Sequence, residues 1–100
     1  FMYEWDERKS RSNLAKHGLS FELAAEMFSG PVLIGDDPRR YETAHGVERR
    51  HIAIGEIEGI VVIVVVFTMR DERKRIISAR KANRHEREAY KAWLEARSGG

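Results

Sequence analysis

The run Ile60-Val61-Val62-Ile63-Val64-Val65-Val66-Phe67-Thr68 limits the fold of this chain more than any other segment. Side chains branched at Cβ are stiff at χ1 and fit a pleated strand better than a helix. No polar residue alternates through the run, so both faces of the strand need cover, which places it near the centre of a sheet. It is far shorter than the ~20 apolar residues of a membrane-spanning helix. Turn signals lie on both sides, at Gly55 to Gly59 and at Asp71-Glu72-Arg73. They predict hairpins to an earlier strand, where Arg50, Ile52 and Ile54 alternate with His51 and Ala53, and to a later strand over 74–80.

The rest of the chain arranges itself around these strands. Phe1, Tyr3 and Trp5 alternate with Met2 and Glu4, which suggests a first strand. Asp6 is placed to cap a helix that runs to His17, with Gly18 at its C′ position. That helix is almost entirely polar, with Leu14 and Ala15 its main apolar residues, so burial does not explain its sequence. Ser20 caps a second helix, in which Phe21, Ala24, Ala25 and Phe28 form an apolar stripe. Gly30 and Pro31 end it. A short strand is expected from Pro31 to Gly35, a turn at Asp36-Asp37-Pro38, and a loop over 36–47. The last helix starts near Asn83 and turns Ala89, Tyr90, Trp93 and Leu94 inward, followed by a tail at 98–100. The predicted order is β-α-α-β-β-β-β-α over one domain, 1–97. This is an α+β two-layer fold with helices on one side of an antiparallel sheet.

With 100 residues the chain is long enough for one thin core. Its 42% hydrophobic and 34% charged residues describe a globular chain rather than a disordered one. It has no cysteine. Disulfides and thiolate metal sites are therefore excluded, and a reducing cytoplasm is compatible. The start shows no basic region followed by an apolar run, so no secretory leader is expected. A net charge of +2 says little about partners. Its distribution says more. Arg70, Arg73, Lys74, Arg75, Arg80, Lys81, Arg84 and Arg87 face only Asp71, Glu72 and Glu86, a local basic field suited to a polyanion. The plainer alternative is a solvated surface with helix ion pairs.

Two separated segments carry the chemical signal. The late one is Arg75-Ile76-Ile77-Ser78-Ala79-Arg80-Lys81-Ala82-Asn83-Arg84-His85-Glu86. It reads as a strand that ends in cations and opens a helix, with Ile76, Ser78 and Arg80 on one face. Asn83 and Glu86 have capping-box spacing. A strand end with Ser and Arg beside a helix N-terminus suits a phosphate. In the early segment Lys9, Asn13, Lys16 and His17 follow helical spacing and line one side of the first helix.

Together, Trp5-Asp6, Lys9, Asn13 and Lys16-His17-Gly18-Leu19-Ser20-Phe21, followed by the late segment, resemble the BrnT family of toxins of type II toxin–antitoxin systems. The resemblance spans Trp5 to about Tyr90. It implies a compact fold like that of the RelE ribonuclease toxins, endoribonuclease activity that inhibits translation and growth, and a BrnA-type antitoxin. In this family the antitoxin is a small DNA-binding protein that represses its operon, so DNA contact is expected only through the complex.

Cleavage of RNA without a metal needs a base for the 2′-hydroxyl, charge stabilisation at phosphorus and protonation of the leaving 5′-oxygen. Arginine suits the second task, because its planar fork binds phosphate oxygens in pairs. Arg80 is the first candidate, with Ser78 beside it to orient phosphate or guanidinium. In the plain reading Ser78 is a small core residue and Arg80 pairs with Glu86. Arg50 is a second arginine candidate and Arg70 a possible neighbour. His17 is the candidate base or acid by residue type, because histidine titrates nearest neutrality. Its place in the last turn of a helix equally suits the helix dipole. Lys16 is an RNA ligand or an alternative base, Lys9 and Asn13 bind or brace, and Arg84 adds to the basic run. His45, His51 and His85 show no metal-ligand spacing, so no metal or cofactor is expected. Trp5, Tyr90 and Trp93 read as core rather than as stacking platforms. An antitoxin is expected over the surface around Arg50, Arg70 and Arg80. The rivals are a module that holds nucleic acid without cutting it and a protein-interaction domain.

Overall fold

The computed structural model describes residues 2–98. Along the chain run β1 (Tyr3–Glu4), α1 (Glu7–His17), α2 (Phe21–Ala25), a 3₁₀ turn (Glu26–Ser29) and β2 (Leu33–Asp36). Then come β3 (Tyr41–Thr43), β4 (Gly46–Glu48), β5 (His51–Ile57), β6 (Val61–Arg70), β7 (Arg73–Lys81) and α3 (Arg84–Ser98). The apolar run is β6, the middle strand of a five-stranded sheet ordered β1-β7-β6-β5-β2. It pairs antiparallel with β5 and β7. Asp71 and Glu72 make the tight turn to β7 with positive φ of 51° and 66°, the conformation that matches the twist of a two-residue hairpin.

α1 and α2 cover one face. Phe21, Ala24 and Met27 pack there with Ala53, Ile57, Ile63, Val65, Phe67, Ile76 and Ala79 in one buried cluster. Gly55 is part of this packing rather than of a turn. A Cβ on it would collide with Cγ of Met27, and the strand runs through the predicted turn as far as Ile57. Met27 lies outside the predicted stripe. The 3₁₀ turn after Ala25 tightens the helical register and brings Met27 fully inside.

Other expectations change for identifiable reasons. The sheet is mixed, because β1 runs parallel to β7. Part of the expected loop over 36–47 is the hairpin β3–β4, whose short polar strands lack an apolar period. Its turn is tied by Thr43, whose Oγ1 accepts from the His45 N–H at 3.1 Å. Ile76 does not share a face with Ser78 and Arg80. Ser78 stands opposite Val66 and Ile76 opposite Phe67, so Ile77 is the extra residue of a β-bulge. Ile76 and Ala79 are consequently both buried, and Ser78 and Arg80 point to the other face. In α3, Tyr90 is buried and Trp93 and Leu94 are half-buried, whereas Ala89 is exposed. Ser98 closes that helix rather than opening a tail; Gly99 and Gly100 lie outside the described residues, as does Phe1 of the first strand. No described helix is long and apolar enough to cross a membrane.

Candidate active site between helix α1 and strand β7

The polar composition of α1 has a structural answer. Its buried residues are Ser10 and Asn13, while Leu14 is 51% exposed. Among the described residues, no strand pairs with the outer edge of β7 beyond Arg75. Asn13 takes that place. Its Nδ2 donates to the carbonyls of Leu19 (2.7 Å) and Ala79 (2.8 Å). Its Oδ1 accepts the Ala79 N–H at 3.2 Å. Ser10 Oγ accepts the Phe21 N–H at 2.9 Å, which fixes the start of α2 against α1. A buried amide left without such partners is costly, so Asn13 braces the helix on the sheet with every polar atom of its side chain.

The same clamp creates a hollow of about 230 Å³ lined by Lys9, Ser12, Asn13, Lys16, His17, Phe21, Ile77 and Ser78. Asp6 starts the helix by accepting the Arg8 N–H at 2.8 Å, and Gly18, at φ 73°, ends it directly after His17. Lys9, Ser12, Lys16 and His17 thus stand on successive turns of one helix edge. Ile77 enters the hollow because the bulge re-aims it, as bulges next to functional sites do. Among the described residues no side-chain hydrogen bond or ion pair engages Lys9, Ser12, Lys16, His17 or Ser78. The structure therefore brings together five of the sequence candidates, Lys9, Asn13, Lys16, His17 and Ser78. Ser12 was missed. It lies three residues after Lys9 and four before Lys16, a helical spacing that marks it in retrospect.

Arg80 follows Ser78 by two residues on the same face of β7. Its guanidinium makes a two-point pair with Glu86, Nη1 to Oε1 at 2.7 Å and Nη2 to Oε2 at 2.8 Å. The capping box is present. Asn83 Oδ1 accepts the Glu86 N–H at 2.8 Å and Glu86 Oε1 accepts the Asn83 N–H at 2.9 Å. The hydrogen bond from Arg80, followed by that from the Asn83 backbone, holds the Glu86 carboxyl below its ordinary pKa. The same hydrogen bond, donated to Glu86, raises that of Arg80.

The remaining arginine candidates lie elsewhere. Arg50 donates from Nε to Glu48 at 2.8 Å and stacks 3.8 Å above the Tyr41 ring. Arg84 pairs with Glu88 on exposed α3 at 3.0 Å. Arg70 stands at the far end of β6, lining a separate hollow with Thr43, His45 and Arg49. Arg80 faces Val64 and Arg70 faces Arg73 across the ladder, so at about 3.3 Å per residue they are roughly 20 Å apart. The basic run is not one field either. Lys74 is buried with its ammonium over the rings of Phe28 (5.4 Å) and Phe67 (5.8 Å), and burial lowers its pKa. Arg75 pairs with Glu4 at 2.8 Å.

Residues 5–86 match the sequence profile of a family described as "Ribonuclease toxin, BrnT, of type II toxin-antitoxin system". This chain belongs to the BrnT family. The matched span holds every residue of the α1–β7 hollow and both members of the Arg80–Glu86 pair, and it leaves out most of α3. Among solved structures, the chain is similar to the ribonuclease toxin BrnT of Brucella abortus, determined at 1.1 Å. The two are 32% identical with a TM-score of 0.58, over 84% of this chain and 100% of that one. No curated protein matches. BrnT membership makes the chain a ribonuclease toxin, with RNA as target and an antitoxin as partner.

Proposed function

We propose that this toxin cuts RNA in the α1–β7 hollow without a metal ion. The observation that carries the reading is the convergence of Lys9, Ser12, Lys16, His17 and Ser78, none in a side-chain hydrogen bond or ion pair among the described residues, with Arg80 two residues beyond Ser78 on the same strand. His17 accepts the proton of a 2′-hydroxyl. The freed oxygen bonds to the adjacent phosphorus, the bond to O5′ breaks, and O5′ takes up a proton. The products are a 2′,3′-cyclic phosphate and a 5′-hydroxyl. Arg80 stabilises the charge that grows on the non-bridging oxygens, Ser78 orients the phosphate, and Lys9 and Lys16 hold its neighbours. A pocket rimmed by lysines and without a carboxylate repels a divalent cation rather than binding one. Asn13 contributes by positioning α1. Arg50, Arg70 and Arg84 lie outside this centre.

The proposal extends to a RelE-like fold, inhibition of translation in the cytoplasm, and a BrnA-type antitoxin that silences the enzyme by covering the hollow and Arg80. DNA is then reached only through the antitoxin. The test is the purified chain with naked RNA in EDTA, followed by end-group analysis. Cyclic-phosphate and 5′-hydroxyl ends support the reading. Ends carrying a 5′-phosphate, or loss of cleavage in chelator, sink it. Co-purification with the product of the neighbouring reading frame, and RNA protection by the pair, tests the partner.

A further inference from the structure

Arg80 is held in a way that a surface ion pair does not require. Its side chain is 45% exposed, and pairs at such sites contribute little to stability. Yet the carboxylate that meets it is fixed from two directions. Glu86 Oε1 also accepts the Asn83 N–H, and the Glu86 N–H is bound by Asn83 Oδ1. The first turn of α3 therefore sets the Glu86 carboxylate, and the carboxylate sets the plane of the guanidinium.

The geometry leaves a useful remainder. A guanidinium has five N–H groups. Glu86 takes one from each Nη, end-on, and the Lys81 carbonyl lies 3.4 Å from Nη1. The Nε–H and the second Nη2–H stay parallel on one edge of the plane, and among the described residues nothing takes them. That edge is the two-donor fork that fits a pair of phosphate oxygens. A flexible, unpaired arginine presents the same fork in many orientations; this one presents it in one. Preorganised donors stabilise a transition state because they need not reorganise as charge develops.

We infer that Glu86 is a positioning residue for RNA cleavage, using the capping box of α3 to aim the free fork of Arg80 at the scissile phosphate. The inference rests on the assignment of Arg80 in the proposed function. It also has an opposing side. The carboxylate neutralises part of the positive field, so it weakens ground-state attraction for RNA while it sharpens the arrangement needed in the transition state. The two effects fall on different kinetic constants.

The experiment compares Glu86→Gln with wild type in full-chain cleavage assays. Glutamine serves a capping box as well as glutamate does, so folding is preserved, but it accepts from Arg80 at one oxygen only. The expected result is a kcat lower by about tenfold with a KM that is unchanged or lower. A clasp that merely ties α3 to β7 leaves both constants alone. Arg80→Ala and the double variant complete the cycle. In the Arg80→Ala background, Glu86→Gln is expected to change nothing further. If Arg80→Ala is inactive and Glu86→Gln behaves as wild type, positioning by Glu86 is wrong and the assignment of Arg80 stands. If Arg80→Ala cleaves normally, the assignment itself is wrong. Independent, multiplying losses in the double variant also overturn the inference. Glu86→Ala, which removes the cap as well, is expected to lower both kcat and Tm, and a Tm loss with unchanged kcat argues against positioning.

Discussion

The segment from Asp37 to Arg50 and the edge between α1 and β7 are both rich in charge, and they treat it in opposite ways. In the first, Asp37, Arg39, Glu48 and Arg50 each have a protein partner. Asp37 accepts from Arg39 Nη2 at 2.9 Å and from the Tyr41 hydroxyl at 2.8 Å. Tyr41 lies under Arg50, and Arg50 pairs with Glu48. This closed network fixes the β3–β4 hairpin to the sheet. In the second region Asn13 is saturated, Ser10 accepts from Phe21 and Arg80 pairs with Glu86, whereas Lys9, Ser12, Lys16, His17 and Ser78 make no side-chain hydrogen bond or ion pair among the described residues. Polar groups that satisfy one another hold the fold. Groups held in place but left unsatisfied are free for a ligand.

Exchanging one arginine from each region tests this contrast most sharply. Arg80→Ala is expected to lower cleavage by more than tenfold with little change in Tm. Loss of a charge-assisted donor to the transition state costs about 1.5–3 kcal/mol, whereas an exposed pair contributes roughly 0–1 kcal/mol to folding. Arg50→Ala is expected to do the reverse, lowering Tm while activity per folded molecule persists. Parallel melting curves and cleavage rates check both, and the contrast breaks if the two variants behave alike.

Asn13→Ala comes next. It leaves the Leu19 and Ala79 carbonyls and the Ala79 N–H without their partner, at a cost of about 1–3 kcal/mol. For a domain of this size that lowers Tm by roughly 4–8 °C per kcal/mol. Cleavage is expected to fall only as α1 loosens. A variant that melts normally but no longer binds RNA moves Asn13 from brace to ligand.

The sheet was legible in the sequence because its signals are local. A β-branched run, two hairpin turns, an N-cap at Asp6 and a C-cap at Gly18 each act within a few residues. Candidates on one helix edge were legible for the same reason, since Lys9, Lys16 and His17 need only helical spacing to converge. What stayed hidden depends on distant partners. The bulge at Ile77 is a mismatch with β6, the need for Gly55 comes from Met27, and the burial of Lys74 comes from Phe28 and Phe67. Arg50 illustrates the limit. Its strand was visible, but Tyr41 and Glu48, which occupy it, lie in a stretch without a periodic pattern.

Acid offers a milder test on the closed network. Hydrogen bonds from the Arg39 side chain and backbone, and from Tyr41, hold the Asp37 carboxyl well below its ordinary value. A carboxyl with a depressed folded-state pKa contributes stability that is present above its unfolded pKa, near 3.9, and lost as pH falls toward the folded value. Denaturant unfolding at pH 7 and pH 3 is therefore expected to show a smaller acid loss in Asp37→Asn than in wild type. An equal loss in both assigns the acid sensitivity elsewhere.

The smallest expected effect belongs to the open region and concerns salt. If Lys9 and Lys16 each meet one phosphate, binding of single-stranded RNA releases about 0.7 counterion per contact. Lys9→Ala and Lys16→Ala are each expected to weaken binding severalfold for all RNA sequences alike, because phosphate contacts carry no base information. Each is also expected to make the slope of log K against log salt shallower by about 0.7. Measuring in an Arg80→Ala background prevents cleavage during titration. Lys91, exposed on α3 and away from the hollow, supplies the control, since its replacement by alanine is expected to leave the slope unchanged. Equal slope changes for all three lysines mean that RNA meets a diffuse positive surface. In that case the absence of protein partners around the hollow does not distinguish it from the rest of the molecule.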